Sequence, residues 1–102
     1  MAQAAAGSRE EICRRVGALR PELARLGVRT LDLFGSAARG SLHPDSDVDV
    51  LVDFHGPARF EPFMDLKLLL EEALGRRVDL VTTGGLKPAL RARIAPDLLR
   101  VA

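Results

Sequence analysis

Two aspartates one residue apart are the first sign of chemistry in this chain. Asp47 and Asp49 lie in the run Ser46-Asp47-Val48-Asp49-Val50-Leu51-Val52. In an extended strand, residues i and i+2 leave the same face. Val48, Val50 and Val52 therefore share one face and read as core, while both carboxylates are thrown together on the other. Two carboxylates roughly 4 Å apart repel by about 4 kcal/mol at an effective dielectric near 20. The usual remedies are a shared proton or a metal ion. Carboxylate oxygens are hard ligands, suited to Mg²⁺ or Mn²⁺ rather than to Zn²⁺. Just upstream, the apolar run ending in Leu33-Phe34 meets Gly35-Ser36, where a strand ends and a short helix can begin. Backbone N–H groups at such a start hold phosphate, and glycine lets the phosphate approach closely. A phosphate cradle beside a dicarboxylate is the minimum kit for metal-assisted phosphoryl or nucleotidyl transfer.

The elements that must position these residues follow from periodicity. Ser8 with Glu11 makes a capping box. Ile12, Val16, Leu19, Leu23 and Leu26 then share one helical face, with Pro21 expected to kink or restart the helix and Gly27 to close it. Val28 to Phe34 reads as the first strand, with Leu31 and Leu33 on one face and Asp32 on the other at a solvated position. Residues 35–46 connect the strands through a short helical turn around Ala37 and Ala38 and a turn at His43-Pro44-Asp45-Ser46. The second strand runs from Asp47 to Phe54, and a helix follows from Pro62 to Leu74, stopped by Gly75. Its apolar stripe is wider than a core face needs, because Leu68 and Leu74 extend it. Arg76 to Thr82 reads as a third strand carrying Asp79. A strand–helix–strand crossover gives a parallel pair, so Asp79 falls beside Asp47 and Asp49. A closing helical region is expected over Leu86 to Val101, with Pro88 in its first turn and Pro96 bending it. The expected architecture is α+β, a two-layer α-β-β-α-β-α order around a small mixed sheet.

Composition bounds the rest. The chain has 102 residues, enough for one domain, with a frayed tip expected over residues 1–7. Its 47% apolar and 28% charged content is that of a soluble globular protein, and a net charge of +1 gives no global pull toward nucleic acid or anionic membrane. One cysteine, Cys13, excludes an internal disulfide and fits a reducing cytoplasm. No signal peptide and no membrane span are expected. His43 and His55 lie in loops without a Cys or His partner at ligand spacing and read as solvated. Arg91, Arg93 and Arg100 read as the wet side of the last helix.

Phe34-Gly35-Ser36-Ala37-Ala38-Arg39-Gly40, followed by Ser46 to Val52, resembles the signature of the DNA polymerase β-like nucleotidyltransferase superfamily. Within it, the short length and the segment Gly75-Arg76-Arg77-Val78-Asp79-Leu80-Val81 resemble the minimal nucleotidyltransferases (MNT). The resemblance implies the nucleotidyltransferase fold and assigns roles. Asp47 and Asp49 would ligate two Mg²⁺ ions. Asp79 would complete the metal site and help activate the attacking hydroxyl. Gly35 and Ser36 would hold the triphosphate of ATP, and Arg39 is either a phosphate contact or a surface residue. Family members often carry a basic residue where this chain has Ala37, which would remove one phosphate contact.

Larger relatives add domains that grip a primer, a tRNA or an antibiotic, and none is expected here. With no Trp or Tyr and four Phe, mostly placed as core, base-stacking platforms are scarce and a nucleic-acid partner is not expected. MNT proteins are typically paired with a helical HEPN-domain ribonuclease toxin, on which they act as antitoxins by transferring AMP from ATP to a tyrosine. The resemblance thus implies a cytoplasmic, Mg²⁺-dependent protein adenylyltransferase that forms a hetero-oligomer with a HEPN toxin. Two other readings stay open: nucleotidyl transfer to a small hydroxylated compound such as an aminoglycoside, and an antitoxin that neutralises by binding alone.

Overall fold

Strand-forming runs of valine and leucine build a sheet, and amphipathic helices cover one side of it. The computed structural model describes residues 4–102. In chain order it contains α1 (Arg9–Gly17), α2 (Arg20–Arg25), β1 (Val28–Phe34), α3 (Gly35–Arg39), β2 (Val48–Phe54), α4 (Phe60–Leu74), β3 (Val78–Thr82), α5 (Pro88–Ile94), a 3₁₀ turn at Ala95–Asp97 and β4 (Leu99–Arg100). The sheet has the order β3-β2-β1-β4. β1 is antiparallel to β2 and β4, and β2 is parallel to β3.

The local signals explain the boundaries. Ser8 caps α1 by accepting the Glu11 N–H at 3.1 Å. Pro21 lies in the first turn of α2, where its missing N–H has no intrahelical duty. It therefore starts a second helix instead of bending the first. Gly75, with φ +63°, closes α4 in the left-handed conformation. Leu31, Leu33, Val48, Val50 and Val52 point from the sheet into a core filled by Ile12 of α1 and Leu66 and Leu70 of α4. Fully burying one such side chain contributes about 1.5–3 kcal/mol, which fixes which face of β2 turns inward and so which face carries the aspartates.

Three expectations change. The closing helix does not reach Val101: α5 stops at Ile94, Pro96 sits in the 3₁₀ turn, and Leu99–Arg100 pairs with β1. Pro96 cannot supply the N–H that a continuing helix needs. Beyond it, Leu98 and Leu99 pack into different clusters on opposite sides of the sheet, as alternating strand residues do. Leu74, counted as widening the apolar stripe of α4, is fully buried. The tip expected to fray over residues 1–7 lies partly outside the described residues, but Ala6 is fully buried. Its N–H donates to the Leu74 carbonyl at 2.8 Å, and its carbonyl accepts from Arg76 at 2.9 Å.

Candidate active site

The side of the sheet away from α1 and α4 is divided. Phe34, Leu51, Leu86 and Ile94 form a small second cluster where α5 packs on the sheet. One step toward the start of β2 and β3, that covering ends and the acids begin. In the parallel ladder Asp49 stands opposite Asp79, so the crossover through α4 places the third carboxylate directly beside the pair read from the sequence. Asp47 lies one residue before β2, which starts at Val48. It is exposed, and Arg77 lies 3.2 Å from it as an ion pair.

Asp49 is the most perturbed of the three. Its carboxyl is raised above the usual carboxylate range, first by burial and then by the charges of Asp79 and Asp47; Arg39 opposes the shift. Asp79 bears on Asp49 both through its charge and as a hydrogen-bonding neighbour, and each effect raises the Asp49 carboxyl. Among the described residues, no basic side chain forms an ion pair with either.

Gly35 explains itself through this pair. It adopts φ +66°, and a Cβ at this position would run into the Asp49 carboxylate, closer than real Cβ atoms come. The chain must be glycine here for β1 to turn into α3 against the acid. Gly35 and Ser36 are the first two residues of α3, whose amides have no intrahelical acceptor. Arg39, at the other end of α3, is exposed and pairs with Asp97 at 3.2 Å while its field reaches Asp49. Ala37 is fully buried, so its side chain faces the core rather than the acids.

The donor chemistry fits a divalent cation. All three groups are carboxylates, which suit Mg²⁺ or Mn²⁺, and the upward shift of Asp49 comes from burial and from the charges of Asp79 and Asp47, which Arg39 opposes only in part. Among the described residues no three His, Cys, Asp or Glu side chains form a closed metal-ligand cluster. The structure brings Asp49 and Asp79 together as a pair, with Asp47 drawn onto Arg77.

Other predicted positions resolve plainly. Asp32, expected at a solvated position, is only 8% exposed and is held by Arg100. The same correction removes Arg100 from the wet face of a helix: it lies on β4, opposite Asp32. His43 and His55 are exposed loop residues. The sequence reading missed Arg76 and Arg77. Arg76 donates to the carbonyls of His43 and Ser46, clamping the turn before Asp47, while Arg77 takes the Asp47 carboxylate. Two arginines immediately before a Val-Asp-Leu-Val strand were the available signal, because the parallel register puts them level with residues 46 and 47.

A family model for the nucleotidyltransferase domain matches residues 16–100. The chain belongs to that family and is an enzyme, a nucleotidyltransferase. Over 76 residues it is 46% identical to the protein adenylyltransferase MntA of Thermococcus cleftensis, covering 74% of this chain and 73% of that protein. A solved structure of a candidate minimal nucleotidyltransferase superposes with a TM-score of 0.79 at 38% identity, covering 89% of this chain and 93% of the other. The fold is also that of a chain in the complex of tri-AMPylated Shewanella oneidensis HEPN toxin with MNT antitoxin. There the TM-score is 0.66 at 19% identity, over 92% of this chain and 71% of that one. No helix among the described residues is long and apolar enough to cross a membrane.

Proposed function

We propose that this nucleotidyltransferase transfers AMP from ATP to a tyrosine hydroxyl of a HEPN-domain toxin and so acts as its antitoxin in the cytoplasm. The observation that carries the reading is the Asp49–Asp79 pair set against Gly35 at the start of α3. The relatives supply the acceptor class: one is a protein adenylyltransferase, and a fold neighbour comes from a complex with an AMPylated HEPN toxin.

In this reading the amides of Gly35 and Ser36 hold the triphosphate, and Arg39, whose field reaches Asp49 from the far end of α3, adds positive charge to the site. Asp47, Asp49 and Asp79 hold Mg²⁺, which when bound offsets phosphate charge and favours the ionised hydroxyl. Asp79 accepts the proton of the acceptor hydroxyl. The hydroxyl oxygen forms its bond to the α-phosphorus, the α–β phosphoanhydride bond breaks, and pyrophosphate leaves. With Ala37 turned inward, Arg39 is the basic side chain of α3 that serves the phosphates.

The test uses the chain, ATP labelled at the α-phosphate, Mg²⁺ and the HEPN-domain protein of the same genome. Label should appear on a toxin tyrosine and disappear with Asp49→Asn. Absence of label across a range of Mg²⁺ concentrations would overturn the assignment.

A further inference from the structure

The outer side of α4 presents an apolar stripe that the core does not use. Phe60, Met64 and Leu68 recur at i, i+4 and i+8 on one helical face; Phe60 is 77% exposed and Leu68 58%. The stripe borders a cleft of about 370 Å³ between α4 and the edge strand β3. Met64, Lys67 and Leu80 line it, and it opens at Asp47 and Asp79. Met64 thus belongs to both the stripe and the cleft, whose walls also carry Lys67, Glu71 and Arg77 on the way to Asp47 and Asp79.

Acidic side chains outnumber basic ones beside the stripe, where Arg59 is exposed just before Phe60. Lys67 is answered by Glu71 at 3.8 Å, and Glu71 also accepts the Val78 N–H at 3.0 Å. Glu61, Asp65 and Glu72 are exposed on the far side of the stripe, and among the described residues none of them forms an ion pair. The surface is therefore apolar with an acidic rim, complementary to a basic amphipathic segment.

The edge of β3 indicates what form that segment takes. The Val48 N–H bonds the Arg77 carbonyl and the Thr83 N–H bonds the Val52 carbonyl, so Val78, Leu80 and Thr82 turn their backbone groups outward. Glu71 takes the Val78 N–H, and Gly85 donates to the Thr82 carbonyl. With the Val78 N–H and the Thr82 carbonyl engaged, only the short middle of the edge around Leu80 is open to strand addition. A helix laying side chains into the cleft fits better.

We infer that the Phe60–Met64–Leu68 stripe is the docking surface for the acceptor protein. It seats a basic, apolar helix of that partner and delivers the partner's hydroxyl along the α4–β3 cleft to Asp79. This rests on the transfer reaction proposed above. Phe60→Glu with Leu68→Glu tests it with the HEPN-domain protein as acceptor. All substituted side chains are exposed, and the rise in melting temperature on adding Mg²⁺ and ATP reports that the fold and nucleotide site are intact.

The expected result is an acceptor KM raised at least tenfold with kcat nearly unchanged. Binding of the acceptor should weaken with added NaCl in the wild type, and less so after Glu61→Gln, Asp65→Asn and Glu72→Gln. An unchanged KM in the Phe60/Leu68 variant, with wild-type transfer present, would overturn the docking surface alone. Absence of transfer in the wild type would overturn the reaction and this surface with it. If the chain by itself forms dimers that this double substitution dissociates, the stripe is a self-association face and the inference falls.

Discussion

Asp32 and Asp49 sit on neighbouring strands, and both lack the solvation of a surface carboxylate, yet they are answered in opposite ways. Asp32 on β1 is held by Arg100 from β4. Asp49 on β2 meets Asp79 on β3, another acid. A little further along β2, Asp53 has Arg29 at 3.2 Å and accepts the Thr83 hydroxyl at 3.0 Å. An acid that is paired with a base is explained by the fold. An acid paired with an acid leaves charge that only a proton or a bound cation can offset, and that is the mark of a site.

The contrast breaks most visibly in activity. Asp49→Asn or Asp79→Asn should lower transfer by about 10³-fold, measured as initial rate of label incorporation, while the melting temperature without metal does not fall. Stability should respond at the other pair, and asymmetrically. Arg100→Ala strands a buried carboxylate and should cost about 3 kcal/mol. Asp32→Asn releases an arginine that is already largely in water and should cost about 1 kcal/mol. Denaturant unfolding of both variants measures the difference, with transfer per folded molecule retained. Equal costs would mean that burial of Asp32 does not govern the pair.

Gly35→Ala should cost about 1–2 kcal/mol through its left-handed backbone. It should also swing Asp49 away, so ATP binding weakens beyond what lost stability explains. Titration of ATP against the folded variant checks this. The smallest effect is in pH. Folding raises the Asp49 carboxyl, so the native state holds that proton more tightly than the unfolded chain. Its contribution to stability is full below the ordinary carboxylate range and is lost as pH rises through the raised one. Without metal, Asp49→Asn should therefore gain on the wild type near neutrality, with the advantage shrinking in acid. Melting curves across that range would show it.

Much of this was legible because it rests on local periodicity. The valine–aspartate alternation fixed which side of β2 was core. The 3.6-residue spacing of α4 implied a crossover, and the crossover implied that Asp79 would stand beside Asp49. Gly35 stood out by its place between a strand and a short helix. What was not legible depended on partners distant in sequence. Asp32 looks solvated until β4 supplies Arg100, 68 residues away. β4 itself was hidden, because its two residues are too few to show alternation and follow a helical stretch. Arg76 and Arg77 acquire meaning only through the register that sets them against residues 43–47.

The most direct test of the central claim is the melting temperature of the wild type and of Asp49→Asn, each with and without Mg²⁺ and ATP. A ligand at 100 times its dissociation constant adds about 2.7 kcal/mol to a folded state that alone binds it. The wild type should melt several degrees higher when loaded. Asp49→Asn should melt no lower than the wild type when empty and gain almost nothing when loaded. A variant that loses stability without metal, or that keeps the full rise with Mg²⁺ and ATP, would contradict the view that a bound cation offsets the repulsion of these crowded acids.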